Sequence, residues 1–233
     1  MAPSSTIDTR LHPLEALGAV RRLFKNPDDT RQVFIVLRAM RGKSLLRLYR
    51  RFSASPTGAS ILHDRRCLLD TLRDHENLAR QPAGSLGRAY LDFMTKENLS
   101  ADGLAALAKS EWRPQPTDDL ALLSERMRDS HDLGHVVTGY GRDPLGELCL
   151  LAFNFAQTGN LGMGMIAGFG LLRILRTPGA AAARRAVVEA WRRGRKAAWL
   201  GGQDWEALMA CDLASVREKL AVGADAHYHG AVA

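Results

Sequence analysis

The chain has 233 residues, enough for one large domain or two small ones at about 100–200 residues each, and it can bury a core without disulfide staples. Its three cysteines (Cys67, Cys149, Cys211) are odd in number and lack paired spacing, which argues against a cysteine-based zinc site and for a reduced, cytosolic setting. The net charge of +7 is unevenly spread: residues 1–60 carry eleven Lys and Arg against four acids, and 173–197 carry eight against Glu189 alone, the pattern of a polyanionic or membrane-surface neighbour or of a solvated basic face.

The start, MAPSSTIDTR, has no apolar run long enough for a secretory signal, and its acid makes it a poor transit peptide. Pro13 to Lys25 reads as a short amphipathic helix stopped at Asn26-Pro27. Asp28, Asp29 or Thr30 can cap a longer helix reaching Phe52, with Val33, Val36, Leu37 and Met40 at helical spacing and Gly42 as a weak point. Residues 53–59 read as a turn and 60–77 as a third helix. The glycine-containing stretch 81–87 interrupts, and 88–95 resumes helix. Ser100 and Asp102 mark the start of a further short helix, 114–118 is a linker, and Asp118 or Asp119 caps a long helix carrying two histidines. No run of alternating β-branched residues suggests a strand. The expected fold is all-α, a single multi-helix bundle over residues 1–233, with 1–10 and 222–233 as flexible ends.

From Leu148 to Leu172 no residue is charged for 25 positions, yet Gln157-Thr158-Gly159-Asn160 splits the run into two pieces too short to span a bilayer. A hairpin of buried helices is the expected account. In the second piece Gly162, Gly164, Gly168 and Gly170 either let helix backbones approach closely or leave room for an apolar ligand beside Met163, Met165 and Phe169. No strand precedes these glycines and their spacing is wrong for a dinucleotide fingerprint. Residues 180–200 form a basic helix in which Ala183, Val187, Trp191 and Ala198 pack and Arg185, Arg192, Arg193 and Lys196 face out, toward solvent or anionic lipid. Nucleic acid is not expected as a partner, because stacking aromatics are not interleaved with these charges. His227 and His229, near the end, read as part of a disordered terminus.

The chemistry concentrates in residues 129–160. His131 and His135 stand one helical turn apart, so their rings share a face, and Asp132 sits about 100° further round as a third ligand or as an orienter of one. Gly139 and Gly141 break the helix, Asp143 can cap the next one, and Pro144 suits its first position. Glu147 then falls in the first turn of a returning helix, near the mouth of the hairpin. Taken alone, the histidine pair is equally a surface ring and a core ring with a satisfied hydrogen bond. Two imidazoles with carboxylates suit zinc, iron or manganese without choosing among them.

HDLGHVVTGYGRDPLGE is similar to the His-Asp-x-x-His-x(11)-Glu signature of the ubiquinone (coenzyme Q) biosynthesis family of the fourth COQ protein; Val136 to Gly146 supply the eleven intervening residues. RMRDSHD resembles the family's Arg-Tyr-Arg-x-x-His-Asp, GELCLLAFNFAQTG its Gly-Glu helix ending in Gln-Thr-Gly, and residues 78–94 its Leu-Pro-x-x-Thr-x-Gly-x-x-Tyr block. Met127, Leu151 and Asn154 depart from the family's usual Tyr, Lys and Glu, as in a divergent, bacterial member.

The resemblance implies an all-helical, peripheral membrane protein, cytoplasmic and on the inner membrane, often a homodimer. It implies that His131, Asp132, His135 and Glu147 bind a divalent metal, zinc first with iron or manganese as alternatives, and that catalysis runs through that metal. It also implies an apolar tunnel for a polyprenyl tail, lined by Met163, Met165 and Phe169. Its substrate would be a 4-hydroxy-3-methoxy-5-polyprenylbenzoate whose ring carboxyl is replaced by hydroxyl, with Arg126 and Arg128 as forked donors to the carboxylate. Other ubiquinone biosynthesis proteins would be its partners. Two alternatives stand beside this lyase reading. One is a non-catalytic scaffold that binds prenyl lipid. The other is a His-Asp metal-dependent phosphohydrolase, in which His63-Asp64 would complete the ligand set.

Overall fold

The computed structural model of the chain describes residues 8–26, 29–103, 106, 118–174 and 180–232. Among these every regular element is helical, and the sole extended pairing is an isolated bridge between Ser85 and Asp212. Helices α1 (Pro13–Lys25) and α2 (Arg31–Ala39) pack on each other, followed by α3 (Ser44–Ser53), α4 (Pro56–His63), α5 (Leu68–Arg73), α6 (His75–Arg80) and α7 (Leu86–Lys96). Then come α8 (Asp118–Asp129), α9 (His131–Thr138), α10 (Pro144–Thr158), α11 (Leu161–Ile174) and α12 (Ala180–Lys196). A 3-10 turn at Leu200–Gly202 leads to α13 (Trp205–Leu208), α14 (Leu213–Lys219) and α15 (Ala226–Val232).

The main core lies between α7, α9, α10, α12 and the C-terminal helices, around Tyr90, Leu133, Tyr140, Phe153, Ala190 and Trp205. A second cluster joins α3, α4 and α8 to Trp199, whose ring meets Phe52 edge-on at 6.3 Å. The third seats α11 on α1 and α2 through Ile166, with Met165 and Phe169 partly buried beside it. At Gly162 a side chain would begin 2.7 Å from the Val36 carbonyl, so α11 can lie this close to α2 only without one. Gly168, by contrast, has nothing within 4 Å of that point. Close packing thus accounts for part of the glycine series and leaves one open position. No helix among the described residues is long and apolar enough to cross a membrane, in keeping with the hairpin of α10 and α11.

Several expected helices are shorter than periodicity suggests. The helix from residue 30 to Phe52 is two, because Gly42 takes φ +52 and turns the chain between α2 and α3. Only Ala54 and Ser55 separate α3 from α4: Ser55 caps α4 by accepting from the Gly58 N–H at 3.0 Å, and Pro56 starts it. Residues 60–77 fall in three helices, broken at Arg65 (φ +52) and at Asp74, whose side chain caps α6. Helical residues 101–103 follow the expected start, while 114–117 of the expected linker lie outside the described residues.

The basic helix ends at Lys196 rather than Leu200, and two of its assignments reverse. Trp191 is exposed, with the Arg195 guanidinium over its ring, and Arg193 is buried. The stretch expected to be a flexible end includes the helix α15, with Asp225 and Tyr228 buried. At the other end, residues 8–12 are tied down by the His12 N–H donating to the Ala39 carbonyl, and 1–7 lie outside the described residues.

Candidate metal centre

The expected single helix through both histidines is broken at Ser130 (φ −77, ψ 3), so His131 opens α9 and His135 sits one turn further. Gly139 ends α9 in the left-handed conformation (φ +77). Arginines from distant segments take the carbonyls that α9 leaves unpaired at its C-terminus: Arg217 donates to Val136 at 2.8 Å and to Val137 at 3.0 Å, and Arg193 donates to Thr138 at 3.1 Å. Asp143 then caps α10, one carboxylate oxygen accepting from the N–H groups of Leu145 and Gly146 at 3.0 Å each. Gly146 is obligatory here, since a side chain would begin 2.1 Å from the Gly141 carbonyl oxygen. Glu147 follows in the first turn.

These two helix starts bring the candidate donors together. The Nε2 atoms of His131 and His135 are 3.3 Å apart, and the Glu147 carboxylate lies 3.9 Å from the first and 3.5 Å from the second. Asp132 is buried, and its carboxylate and the two imidazoles each offer a donor atom within 4.8 Å of the others. His135 has a fixed orientation. Its Nδ1 donates to the Tyr140 carbonyl at 3.0 Å, and Phe93 stacks on its ring at 5.7 Å. That bond leaves the Nε2 lone pair directed at His131. Fully buried His135 forms the floor, while His131 and Glu147, each about one-third exposed, form the mouth.

Two donors about 2.05 Å from a tetrahedral zinc ion lie about 3.3 Å apart, so the imidazole pair already has the spacing of ligands on one ion. Without a cation, two lone pairs at 3.3 Å need a proton between them or beside them. Electrostatics give that proton to His135. Burial lowers its pKa, but the hydrogen bond and charge of Glu147 outweigh burial and raise it above the usual histidine value. His131 is driven down by burial and by its neighbour His135. Burial favours protonated Glu147, yet the His135 hydrogen bond and charge hold its carboxyl below the usual range.

A cation held here would displace a proton from His135 wherever the pH lies below the raised pKa of that ring. We expect the affinity for zinc to fall about tenfold per pH unit below the raised pKa of His135 and to level off above it. Isothermal titration in buffers of different ionisation enthalpy checks this by counting the proton released.

The remaining candidates sit elsewhere. Arg126 is buried and its two terminal nitrogens grip both Glu206 oxygens, with a further bond to the Gln203 carbonyl. Arg128 donates to Asp129 at 2.7 Å. Met165 and Phe169 pack toward the α1–α2 layer, Phe169 meeting Phe24 edge-on at 6.2 Å, and the Sδ of Met163 accepts from the Thr158 hydroxyl at 3.4 Å. His63 and Asp64 are exposed, Asp64 accepting from Ser60, and they do not join the histidine cluster. The pair therefore does not complete a ligand set with His131, Asp132 and His135. Sequence reasoning missed Arg142, whose Nε stands 3.9 Å from Glu147, although its place in the turn before a candidate acid was the available signal. Arg193, Arg217 and Tyr228 carried no local signal, since their partners lie 30 to 87 residues away.

The sequence model of the family described as coenzyme Q (ubiquinone) biosynthesis protein Coq4 matches residues 11–225. The mitochondrial ubiquinone biosynthesis protein COQ4 homolog of Danio rerio is 32% identical over 158 residues, 67% of this chain and 55% of the relative. The Bos taurus homolog is 34% identical over 141 residues, 60% of this chain and 51% of the relative. The chain thus spans about half the length of the curated relatives it matches. A crystal structure from Nostoc punctiforme, provisionally described as a ubiquinone biosynthesis protein, superposes with a TM-score of 0.68 at 22% identity, covering 92% of this chain and 100% of that one; it supports the fold.

Proposed function

The chain belongs to the Coq4 family of coenzyme Q (ubiquinone) biosynthesis proteins, and from that premise we propose that it acts in the oxidative decarboxylation of a 4-hydroxy-3-methoxy-5-polyprenylbenzoate. In this reading His131, Asp132, His135 and Glu147 hold a divalent cation, zinc first, with iron or manganese as alternatives. The observation that carries the reading is the convergence of two imidazole nitrogens 3.3 Å apart with a carboxylate from the opposing helix. When bound, the cation supplies positive charge against the negative charge that grows on the ring as carbon dioxide leaves. Replacing carboxyl by hydroxyl is a two-electron oxidation and zinc is not a redox metal, so dioxygen is the proposed oxidant, leaving as hydrogen peroxide while water supplies the hydroxyl oxygen and the carboxyl departs as carbon dioxide.

The protein's own groups do the rest. Arg142, partly exposed beside Glu147, takes over the carboxylate-binding role expected of Arg126 and Arg128. Buried His135, under Phe93, keeps water from the floor of the site. Met163, Met165 and Phe169, on the helix that packs over the α1–α2 layer, are the proposed contacts of the prenyl tail. Exposed Leu172, Val188 and Trp191, with the arginines of α12, form the side that rests on the inner membrane. There it meets other ubiquinone biosynthesis proteins and a second copy of itself.

A scaffold that only presents the prenylated intermediate is the second reading. It is favoured by the engagement of Arg126 and Arg128 with Glu206 and Asp129, which leaves fewer groups to grip a substrate carboxylate. Assay of the purified protein with a polyprenylated hydroxybenzoate separates the two. The lyase reading expects carbon dioxide and the hydroxylated ring, both lost on chelation. Co-purifying prenyl lipid with no product, or conversion that survives metal removal, overturns it.

A further inference from the structure

The last segment of the chain, polar and histidine-rich, folds back onto the turn that joins the two candidate ligand helices. Asp225 caps α15 by accepting from the N–H groups of His227 and Tyr228 at 3.0 Å each, and its other oxygen accepts from the Tyr140 hydroxyl at 2.8 Å. Arg193 donates to that same hydroxyl and to the carbonyls of Thr138 and Gly223, joining the turn to the tail. Tyr228, its ring edge-on to Tyr140 at 5.2 Å, reaches furthest. Its hydroxyl accepts from the Gly141 N–H at 2.8 Å and donates to Asp143.

We propose that Tyr228 is a positioning residue for Glu147, fixing through Gly141 and Asp143 where α10 begins and so where the carboxylate stands opposite the two histidines. The inference rests on the metal reading given above. Asp143 has two oxygens with separate duties: one receives the N–H groups that open α10, and the other is held by Tyr228. The phenol keeps its proton as a donor, because burial and the bond to Asp143 push its pKa up to about 12. Glu147 lies one turn beyond that cap, while His135 is fixed through the carbonyl of Tyr140, whose hydroxyl the same segment holds. The tail therefore grips both sides of the hairpin without supplying a ligand. Residues that orient ligands from outside commonly change metal affinity by about 10–100-fold.

The test is cobalt(II) titration of the whole chain, followed by visible absorption and by competition with a chromophoric chelator. Tyr228→Phe removes only the hydroxyl and is expected to weaken cobalt binding about 10–100-fold and to alter the absorption band. Gly141→Ala attacks the same contact from the other side, since its new carbon would lie 2.8 Å from the Tyr228 oxygen and 2.9 Å from an Asp143 oxygen; it should produce the same loss. Val222→Ala serves as the control. It trims a buried side chain of the same segment whose backbone bond goes to Arg217, and it should lower the melting temperature without changing cobalt affinity or spectrum. Unchanged binding and spectrum in Tyr228→Phe, or an equal loss in Val222→Ala, overturns the positioning role. A wild-type protein that binds no cobalt overturns the metal reading itself, and this inference with it.

Discussion

Glu147→Ala is expected to lower the affinity for zinc by more than about 100-fold, beyond the range that outer-sphere changes produce, while leaving the fold nearly as stable as before. The two halves of that expectation have separate causes. Glu147 is the candidate donor that α10 brings within 3.9 and 3.5 Å of the histidine pair on α9, so its loss would leave only groups from a single helix. Its side chain is about one-third exposed, and removing it opens no cavity in the core. Glu147→Gln keeps the size but not the charge and should recover little of the affinity. Competition with a chromophoric zinc chelator measures the first half, and thermal melting of the metal-free protein the second. If Glu147→Ala binds zinc like the wild type, the carboxylate is not a ligand and the hairpin does not close around a cation.

Arg126→Ala is expected to do the reverse: to cost about 3–5 kcal/mol of stability, because it strips one partner from a buried ion pair. Arg126 is 3% exposed, and its guanidinium meets the Glu206 carboxylate through two bonds, one of 2.6 Å, tying α8 to α13. Truncation leaves Glu206 with a largely buried charge and no counterion. At about 2–4 °C per kcal/mol for a chain of this size, the melting temperature should fall by about 10 °C. Replacing both partners by apolar residues of similar volume should recover most of that loss. Zinc affinity of the folded fraction should not change. If Arg126 held the substrate, as its place just ahead of the histidines suggested, Arg126→Ala would keep its melting temperature and show a raised KM instead.

That contrast marks the boundary of what local sequence carries. The hairpin from His131 to Glu147 was legible because each of its steps has a short-range cause. One helical turn separates the histidines, Gly139 supplies the left-handed stop, Asp143 caps and Pro144 starts the return. The helix breaks at Arg65 and Ser130 were not legible, since neither residue is a glycine or proline and the hydrophobic period runs on across both. Arg193 belongs by spacing with the outward arginines of α12, but its guanidinium is drawn in by carbonyls of Thr138 and Gly223 from two other segments. The C-terminal stretch looked like a loose end because it is short and polar. Asp225, three residues before Tyr228, was a cap signal in plain view, yet the partners that the segment bonds to, Tyr140 and Asp143, lie more than eighty residues upstream.

Diffraction at the zinc absorption edge, from crystals of the protein purified without chelators, tests the hairpin most directly. One anomalous peak within about 2.0–2.2 Å of Nε2 of His131, Nε2 of His135 and an oxygen of Glu147 is the predicted result. No peak between these side chains, even after zinc is added, would contradict it.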